Sequence, residues 1–210
     1  MKVNYTKTLL IFIILILFFM SGNVEMYGNP NHGPDWSQDK NWSKHSAKHN
    51  SENKGIKYLD RHPVDCSRKG IKGFDVNQVD QWYQRFDYDC AGGEESDDFW
   101  IHTNEGSEGG QDLSYYANSF PIDCGHYPLT FFQYQRDGNG KNWHKFKCGK
   151  KATTGPCRVK SSSFSAPYSV DTEWLSLQQP LECDDGEVLT RVEYEYNGHL
   201  GRYKGQCCKK

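Results

Sequence analysis

The chain has 210 residues, with 25 Lys and Arg against 27 Asp and Glu, so its formal net charge at pH 7 is −2. A net negative charge argues against nucleic acid as a partner, because binding to a polyanion depends on an excess of basic side chains. Aromatic residues make up 14% of the chain and there are only 3 Met. This composition disfavours a fold of long helices built from strong helix formers.

Residues 1–22 have the pattern of a secretory signal peptide. Two lysines precede an unbroken apolar run of 12 residues, Leu9 to Met20, and small residues follow it. The run is shorter than the roughly 20 residues that a membrane-spanning helix needs. We therefore expect cleavage near residues 21–23 and secretion into the extracellular space, with an uncleaved signal anchor as the alternative.

The segment after the leader is polar. Residues 23–38 and much of 43–55 are together rich in Asn, His, Lys and Ser, and residues 23–38 are predicted to be a mobile N-terminal segment. A single domain is expected to follow, over residues 39–210. Asn41-Trp42-Ser43 is the only glycosylation sequon after the leader, so Asn41 is the predicted glycosylation site.

All eight cysteines follow the leader, at positions Cys66, Cys90, Cys124, Cys148, Cys157, Cys183, Cys207 and Cys208. An even number in an oxidising compartment predicts four disulfide bonds. The chain contains no Cys-x-x-C pair, so no zinc site and no other metal site is predicted.

Three cysteine pairs share one spacing. Cys66 and Cys90, Cys124 and Cys148, and Cys183 and Cys207 are each 24 positions apart, and a Pro, an aliphatic residue and an acid precede each first cysteine. We expect these three pairs to be bonded, and the remaining Cys157 and Cys208 to form the fourth bond. Cys207 and Cys208 could exchange roles, since sequence does not fix connectivity.

The residues between each cysteine pair alternate in the manner of strands. The matching apolar positions are Ile71, Phe74 and Val76, then Leu129, Phe132 and Tyr134, then Leu189, Val192 and Tyr194. Period-two aromatic and β-branched residues around a turn such as Asp137-Gly138-Asn139-Gly140 predict a hairpin. The expected fold is all-β, with three pseudo-repeats of disulfide-linked hairpins around a shared aromatic core, over residues 39–90, 97–148 and 171–208.

A tryptophan precedes each unit, three positions after an aspartate, at Trp42, Trp100 and Trp174. We interpret these rings as packing anchors of the core, because one hairpin cannot bury an apolar face alone. The alternative is that exposed aromatic rings stack on sugars, for which Trp143 and Tyr134 are further candidates.

Charge is unevenly distributed along the chain. Residues 94–112 hold seven acids and no base, whereas residues 136–160 hold eight bases and one acid. On a strand, Lys145 and Lys147 share one face, opposite His144 and Phe146. The predicted ligand-binding residues are Arg136, Lys141, Lys145, Lys147, Lys150 and Lys151. Clustered cations attract sulfated glycans or matrix glycoproteins, with cell-surface or membrane lipids as a second class of partner.

Signatures of catalysis are absent from the sequence. It contains neither Gly-x-Ser-x-Gly nor His-Glu-x-x-His, and the cysteines are assigned to disulfides rather than to a nucleophile. We therefore expect a protein that is not an enzyme and needs no cofactor.

Three stretches resemble the dermatopontin family: Cys183-Asp184-Asp185-Gly186-Glu187-Val188-Leu189-Thr190-Arg191-Val192, Phe86-Asp87-Tyr88-Asp89-Cys90 and the Cys207-Cys208 doublet. The resemblance implies an extracellular, non-enzymatic protein of matrix assembly and cell adhesion that binds proteoglycans and other matrix components. Some invertebrate members are carbohydrate-binding agglutinins, and a cnidarian relative is a cytotoxin. The expected function is thus adhesion or matrix binding through anionic glycans or glycoproteins. A secreted cytotoxin or haemolysin of the same fold, or an agglutinin, is the alternative.

Overall fold

A computed structural model of the chain describes residues 41–46, 49–50, 56–80, 83–93, 95, 97–103, 113–137, 139, 141–164, 175, 180–197 and 200–210. The predicted signal peptide and the predicted mobile segment lie outside these residues. So does Trp174, together with most of the acidic stretch 94–112. Within the described part of the chain, no helix is both long enough and apolar enough to cross a membrane.

Three long antiparallel hairpins form the fold. Their strands are β4 (Ile71–Asp80) with β5 (Tyr83–Cys90), β8 (Leu129–Arg136) with β9 (Asn142–Gly149), and β12 (Glu187–Tyr196) with β13 (Gly201–Lys209). Each first strand carries a register shift near its start, after Ile71, Leu129 and Leu189. The all-β prediction is confirmed, and the matching shifts support the predicted repeats.

Disulfide bonds close the open end of each hairpin. Cys66–Cys90, Cys124–Cys148 and Cys183–Cys207 span Cα–Cα distances of 5.5, 5.6 and 5.5 Å. The fourth bond joins Cys157 to Cys208, so the two neighbouring cysteines keep the roles of the expected arrangement. The structure has no free cysteine among the residues described.

Three short strands connect the hairpins into a ring. They are β3 (Val64–Asp65), β7 (Ile122–Asp123) and β11 (Leu181–Glu182), and each is the aliphatic-acid pair before a cysteine. None pairs with the hairpin that follows it in the chain. Instead, β3 pairs with β8, β7 pairs with β12, and β11 returns to pair with β4 of the first hairpin.

The register of this exchange is the same at all three junctions. The aliphatic residues Val64, Ile122 and Leu181 lie opposite Phe132, Val192 and Phe74, which are matching positions of the three hairpins. The backbone N–H of the following cysteine then donates to the next hairpin: Cys66 to Thr130, Cys124 to Thr190, and Cys183 to Lys72. Each disulfide end is thereby bonded to its neighbour.

Edge strands complete three sheets. Strands β1 (Lys44–His45) and β2 (His49–Asn50) pair with β5, β6 (Asp98–His102) pairs with β9, and β10 (Cys157–Ser161) pairs with β13. The structure also describes a 3-10 helix, Ile56–Arg61, and a short helix, α1 (Leu113–Asn118).

The three hairpins enclose a core of aromatic rings. Phe74 lies 5.0 Å from Phe132 and 5.1 Å from Tyr203, between ring centroids, and Phe86 lies 5.7 Å from Phe132. All four rings are buried, and the pairs meet edge to face, the arrangement that aromatic quadrupoles favour. Helix α1 adds Tyr116, whose hydroxyl lies 3.0 Å from that of Tyr203.

Gly205 stands where the other two hairpins carry Tyr88 and Phe146. A Cβ atom there would lie 2.7 Å from Leu189 Cδ2 and 2.9 Å from Leu181 Cδ2. The two leucines therefore fill the space that an aromatic ring takes in the other hairpins. Because Leu181 belongs to the returning strand β11, this substitution lies at the junction that closes the ring.

The interpretation of the tryptophans as core anchors is correct for Trp42 and wrong for Trp100. Trp42 is buried, but 48% of Trp100 is exposed. The reason is strand alternation: on β6, the neighbours Phe99 and Ile101 pack against the core, so the residue between them points outward.

His144 occupies the ring position that Phe86 and Tyr203 fill in the other two hairpins. It is fully buried, 4.3 Å from the Phe120 ring, and its Nδ1–H donates to the Ser119 carbonyl at 3.1 Å. Burial lowers the pKa of His144 to about 4, although the Ser119 bond opposes the shift. The imidazole is therefore neutral in the folded protein at pH 7.

We expect His144→Phe to weaken the acid sensitivity of the fold. In the unfolded chain His titrates near pKa 6.5, so the unfolded state binds the extra proton as pH falls from about 6.5 to about 4, and stability falls with it. Urea unfolding should show about 2 kcal/mol less of this loss between pH 7 and pH 4.5 in the variant. The exposed His126 provides the control: His126→Gln should keep the wild-type slope. If the unfolding free energy of wild type and His144→Phe changed equally with pH, His144 would not be the source of the acid sensitivity.

Candidate functional site

Each hairpin presents one face to the core and one to the outside. On the outer face of the first hairpin, the buried carboxylate of Asp87 organises the polar groups. It lies 2.7 Å from His45 Nδ1 and 2.6 Å from Arg85 Nε, and it accepts a hydrogen bond from Asn77 at 2.7 Å. The charges on this face thus pair with one another.

The outer face of the third hairpin is a network of ion pairs. Arg202 lies 2.6 Å from Glu195, Lys204 lies 3.1 Å from Glu195 and 3.7 Å from Glu193, and Arg191 pairs with Glu193. The hydrogen bond with Glu195 raises the pKa of Lys204. Each of these three cations has a carboxylate partner.

The outer face of the second hairpin is built differently. The Nζ atoms of Lys145 and Lys147 lie 4.0 and 4.3 Å from the centroid of the exposed Trp100 ring. Trp100 also meets Phe131 edge to face, at 5.2 Å between centroids. We call these four residues, Trp100, Phe131, Lys145 and Lys147, the Trp100 surface.

Strand register assembles this surface. Trp100 on β6 lies opposite Lys147 on β9, and Lys147 lies opposite Phe131 on β8. Side chains in one row across a sheet point to the same side, so the three stand next to one another. Lys145 lies two residues before Lys147 on β9 and therefore points to the same face. His144, Phe146 and Cys148 are buried on the opposite face, as the alternation predicted.

Among the described residues, the charges of the Trp100 surface are only partly neutralised. Lys147 Nζ lies 3.5 Å from Asp98 Oδ2, but in the described part of the chain no carboxylate lies within 4 Å of Lys145 Nζ. An exposed ammonium over an indole gains about 0.5–1 kcal/mol. A group that offers both a negative charge and an apolar face could engage the ammoniums and the ring together.

The six predicted ligand-binding cations do not form one cluster. Arg136 and Lys141 lie at the loop end of the second hairpin, beyond Lys145 and Lys147, and Lys150 and Lys151 follow β9 at the disulfide end. Their role in binding stays a prediction. Of the two further bases in this stretch, Arg158 and Lys160 both pair with Asp184.

Three other predicted features can be located. Asn41 is exposed although its neighbour Trp42 is buried, so the sequon is open to a glycan. Tyr134 is 5% exposed and is buried in the core, which corrects its place among the candidate sugar-stacking rings. Trp143 is half-buried. The described residues contain no group of three His, Cys, Asp or Glu side chains that could hold a metal ion.

Sequence reasoning gave an exposed, sugar-stacking Trp100 only as the alternative to a core role. The signal was present in Asp98-Phe99-Trp100-Ile101, where alternation with Phe99 and Ile101 inward places Trp100 outward. The shared Asp-x-x-Trp pattern masked this, because it suggested one role for all three tryptophans.

Replacing the two tryptophans should separate a core role from a surface role. Trp42→Ala empties a buried site and should cost about 3–5 kcal/mol of unfolding free energy. Trp100→Ala removes an exposed ring and two cation–π contacts, and should cost about 1 kcal/mol or less. Denaturant unfolding of both variants measures this difference. A Trp100→Ala loss as large as that of Trp42→Ala would place Trp100 in the core.

Comparison with known proteins adds no assignment to this geometry. No protein-family model, no curated protein and no solved structure matches the chain. The resemblance to dermatopontins therefore stays a prediction, and the Trp100 surface is defined by the contacts of this chain alone.

Proposed function

We propose that the protein is a secreted, non-enzymatic adhesion or extracellular-matrix protein that binds anionic glycans, sulfated polysaccharides foremost, on the Trp100 surface. One observation carries the proposal. Two ammonium groups lie 4.0 and 4.3 Å from the centroid of a ring that is 48% exposed, and one carboxylate, Asp98, lies near them among the residues described.

The chemistry of such a ligand fits both parts of the surface. The C–H faces of a sugar ring are apolar enough to lie against the exposed Trp100 ring, which Phe131 supports from beneath, whereas sulfate or carboxylate groups pair with the lysines. Exposed ion pairs are individually weak and screened by salt. A polymer that places many such groups along its length gains from repeated contacts.

Comparison of the three outer faces supports the choice of this hairpin. Lys204 stands at the position of Lys145 on the third hairpin, but it is paired with Glu195 and Glu193. On the first hairpin the matching residue is Asp87, a carboxylate. The local positive charge of the second hairpin contrasts with the formal net charge of −2 for the chain, so attraction of a polyanion would be a local effect.

The extracellular part of the proposal is supported by the four disulfide bonds, because such bonds persist in oxidising compartments. The N-terminal leader pattern points the same way. The adhesive, non-enzymatic part is an inference from the dermatopontin resemblance.

Retention on immobilised heparin across a salt gradient tests the proposal. We expect the purified, oxidised protein to be retained and Lys145→Gln/Lys147→Gln to elute at clearly lower salt. Arg202→Gln/Lys204→Gln removes the same charge from the third hairpin, where both cations are paired, and should elute near wild type. Trp100→Ala changes no charge, and it should also weaken retention, because the aromatic contact is lost.

Four outcomes would contradict this binding mode. Wild-type protein that passes heparin unretained would rule the binding mode out, and equal losses in the two double variants would reduce the effect to net charge. Retention that persists at high salt but depends on Trp100 would favour an agglutinin of neutral sugars. Lysis of erythrocytes by protein that does not bind heparin would favour the cytotoxin alternative.

A further inference from the structure

A second basic site lies where the disulfide ends of the three hairpins converge. A cavity of about 320 Å³ opens there, and Gly70 and Pro128 form part of its wall. A Cβ atom on Gly70 would lie 2.5 Å from Val188 Cγ1 and 3.2 Å from Pro128 Cβ. Gly70, Pro128 and Val188 are matching positions of the three hairpins, each directly before the matched residues Ile71, Leu129 and Leu189. The cavity therefore adjoins the centre of the ring. We call it the axial pocket.

Cations from separate parts of the chain line the axial pocket. Arg68 comes from the turn after Cys66, Lys151 from the segment after β9, and Lys210 from the residue after β13. Two threonines, Thr153 and Thr154, complete the polar lining. The sequence analysis placed only Lys151 in a predicted binding site, with the cations of the second hairpin. Arg68 and Lys210 belonged to no predicted site.

Among the residues that the structure describes, carboxylates offset little of this charge. Arg68 Nη1 lies 3.9 Å from Asp97 Oδ1, at the limit of an ion pair. Over the described ranges, no side-chain carboxylate lies within 4 Å of the side-chain nitrogen of Lys151, Lys210 or the neighbouring Lys69. Burial, followed by the charges of Lys69 and Lys151, holds the pKa of Lys210 below its usual range. Like charges are thus held together against their repulsion.

The hydrogen-bond donors of the pocket are partly committed. Lys210 Nζ donates to the Gly92 carbonyl at 2.8 Å, which leaves two of its three N–H groups. Thr153 Oγ1 donates to the His126 carbonyl at 2.9 Å. Thr154 and Lys151 are exposed at the rim, where their donors can turn toward a ligand.

We propose that the axial pocket binds a tetrahedral oxyanion, a sulfate or phosphate group, held by Lys151, Lys210 and Arg68. Such a group accepts several charge-assisted hydrogen bonds at once, and an Arg can bind it in bidentate fashion. The volume exceeds that of the bare anion and lies in the range of small-ligand sites, so the group can be carried on a single sugar unit. This site is separate from the Trp100 surface and does not depend on the glycan proposal.

The test is calorimetric titration of the full oxidised protein, at constant ionic strength in chloride, with inorganic sulfate, inorganic phosphate and a monosaccharide 6-sulfate. We expect saturable binding with one site per chain, weakened at least tenfold in Lys151→Gln/Lys210→Gln. Arg202→Gln/Lys204→Gln, with the same loss of charge, should bind like wild type. Tighter binding of the sulfated sugar than of both inorganic anions identifies a glycan ester as the natural source; tighter binding of inorganic phosphate identifies the free ion.

Thermal unfolding supplies a second readout. Without oxyanion, Lys151→Gln/Lys210→Gln should be at least as stable as wild type, because a repulsion has been removed. Sulfate stabilises proteins generally, but only a bound ion adds the further, saturable gain of ligand linkage. We expect that gain in wild type and the paired-cation control, and its loss in the pocket variant.

Two results would overturn the proposal: absence of saturable binding above the chloride background, or equal weakening in both double variants. Heparin retention is a separate measurement. If heparin binding fails while the pocket still binds sulfate, the glycan proposal is wrong and the axial-pocket proposal stands. If heparin binding depends on the Trp100 surface while the pocket binds no oxyanion, the axial-pocket proposal is wrong and the glycan proposal stands.

Discussion

The pairing of β11 with β4 is the contact on which the whole arrangement depends. Without it, the three hairpins would form an open row, in which strand β4 of the first hairpin has an unpaired edge and the first and third hairpins each have an uncovered apolar face. With it, Leu181 lies opposite Phe74, the Cys183 amide donates to Lys72, and the aromatic rings of all three hairpins become one core. The disulfides then act on a closed ring. In the chain-entropy model, each of the three hairpin disulfides, with a sequence separation of 24, destabilises the unfolded chain by about 3 kcal/mol.

Ring closure also explains where the chain can vary. The inward positions are fixed by contact with two neighbours, as the exchange of an aromatic ring for Gly205 against Leu181 and Leu189 illustrates. The outward positions meet only their own sheet. The three outer faces accordingly carry different chemistry: a buried carboxylate with its partners, a network of ion pairs, and the Trp100 surface. The disulfide ends must converge, and this convergence brings Arg68, Lys151 and Lys210 to one pocket.

Local patterns in the sequence predict the hairpins and the bonds between cysteines, because both depend on spacing within a short stretch. Residue alternation also placed Lys145 and Lys147 on one outward face, opposite His144. The partner of each short strand could not be predicted: Val64-Asp65, Ile122-Asp123 and Leu181-Glu182 have the same pattern, and nothing local tells which hairpin each one joins. The exposure of Trp100 was only the alternative prediction, because three similar motifs suggested one core environment. The axial pocket was missed because its cations meet only through the closed ring.

Native-state hydrogen exchange at three amides tests the closed ring most directly. The N–H groups of Cys66, Cys124 and Cys183 donate to the next hairpin at 3.0, 2.8 and 2.9 Å. Because a closed ring opens as one cooperative unit, all three amides should exchange slowly and with the same opening free energy. If the Cys183 amide exchanged as fast as an exposed loop amide while those of Cys66 and Cys124 remained protected, the third hairpin would not return to the first, and the ring would be open.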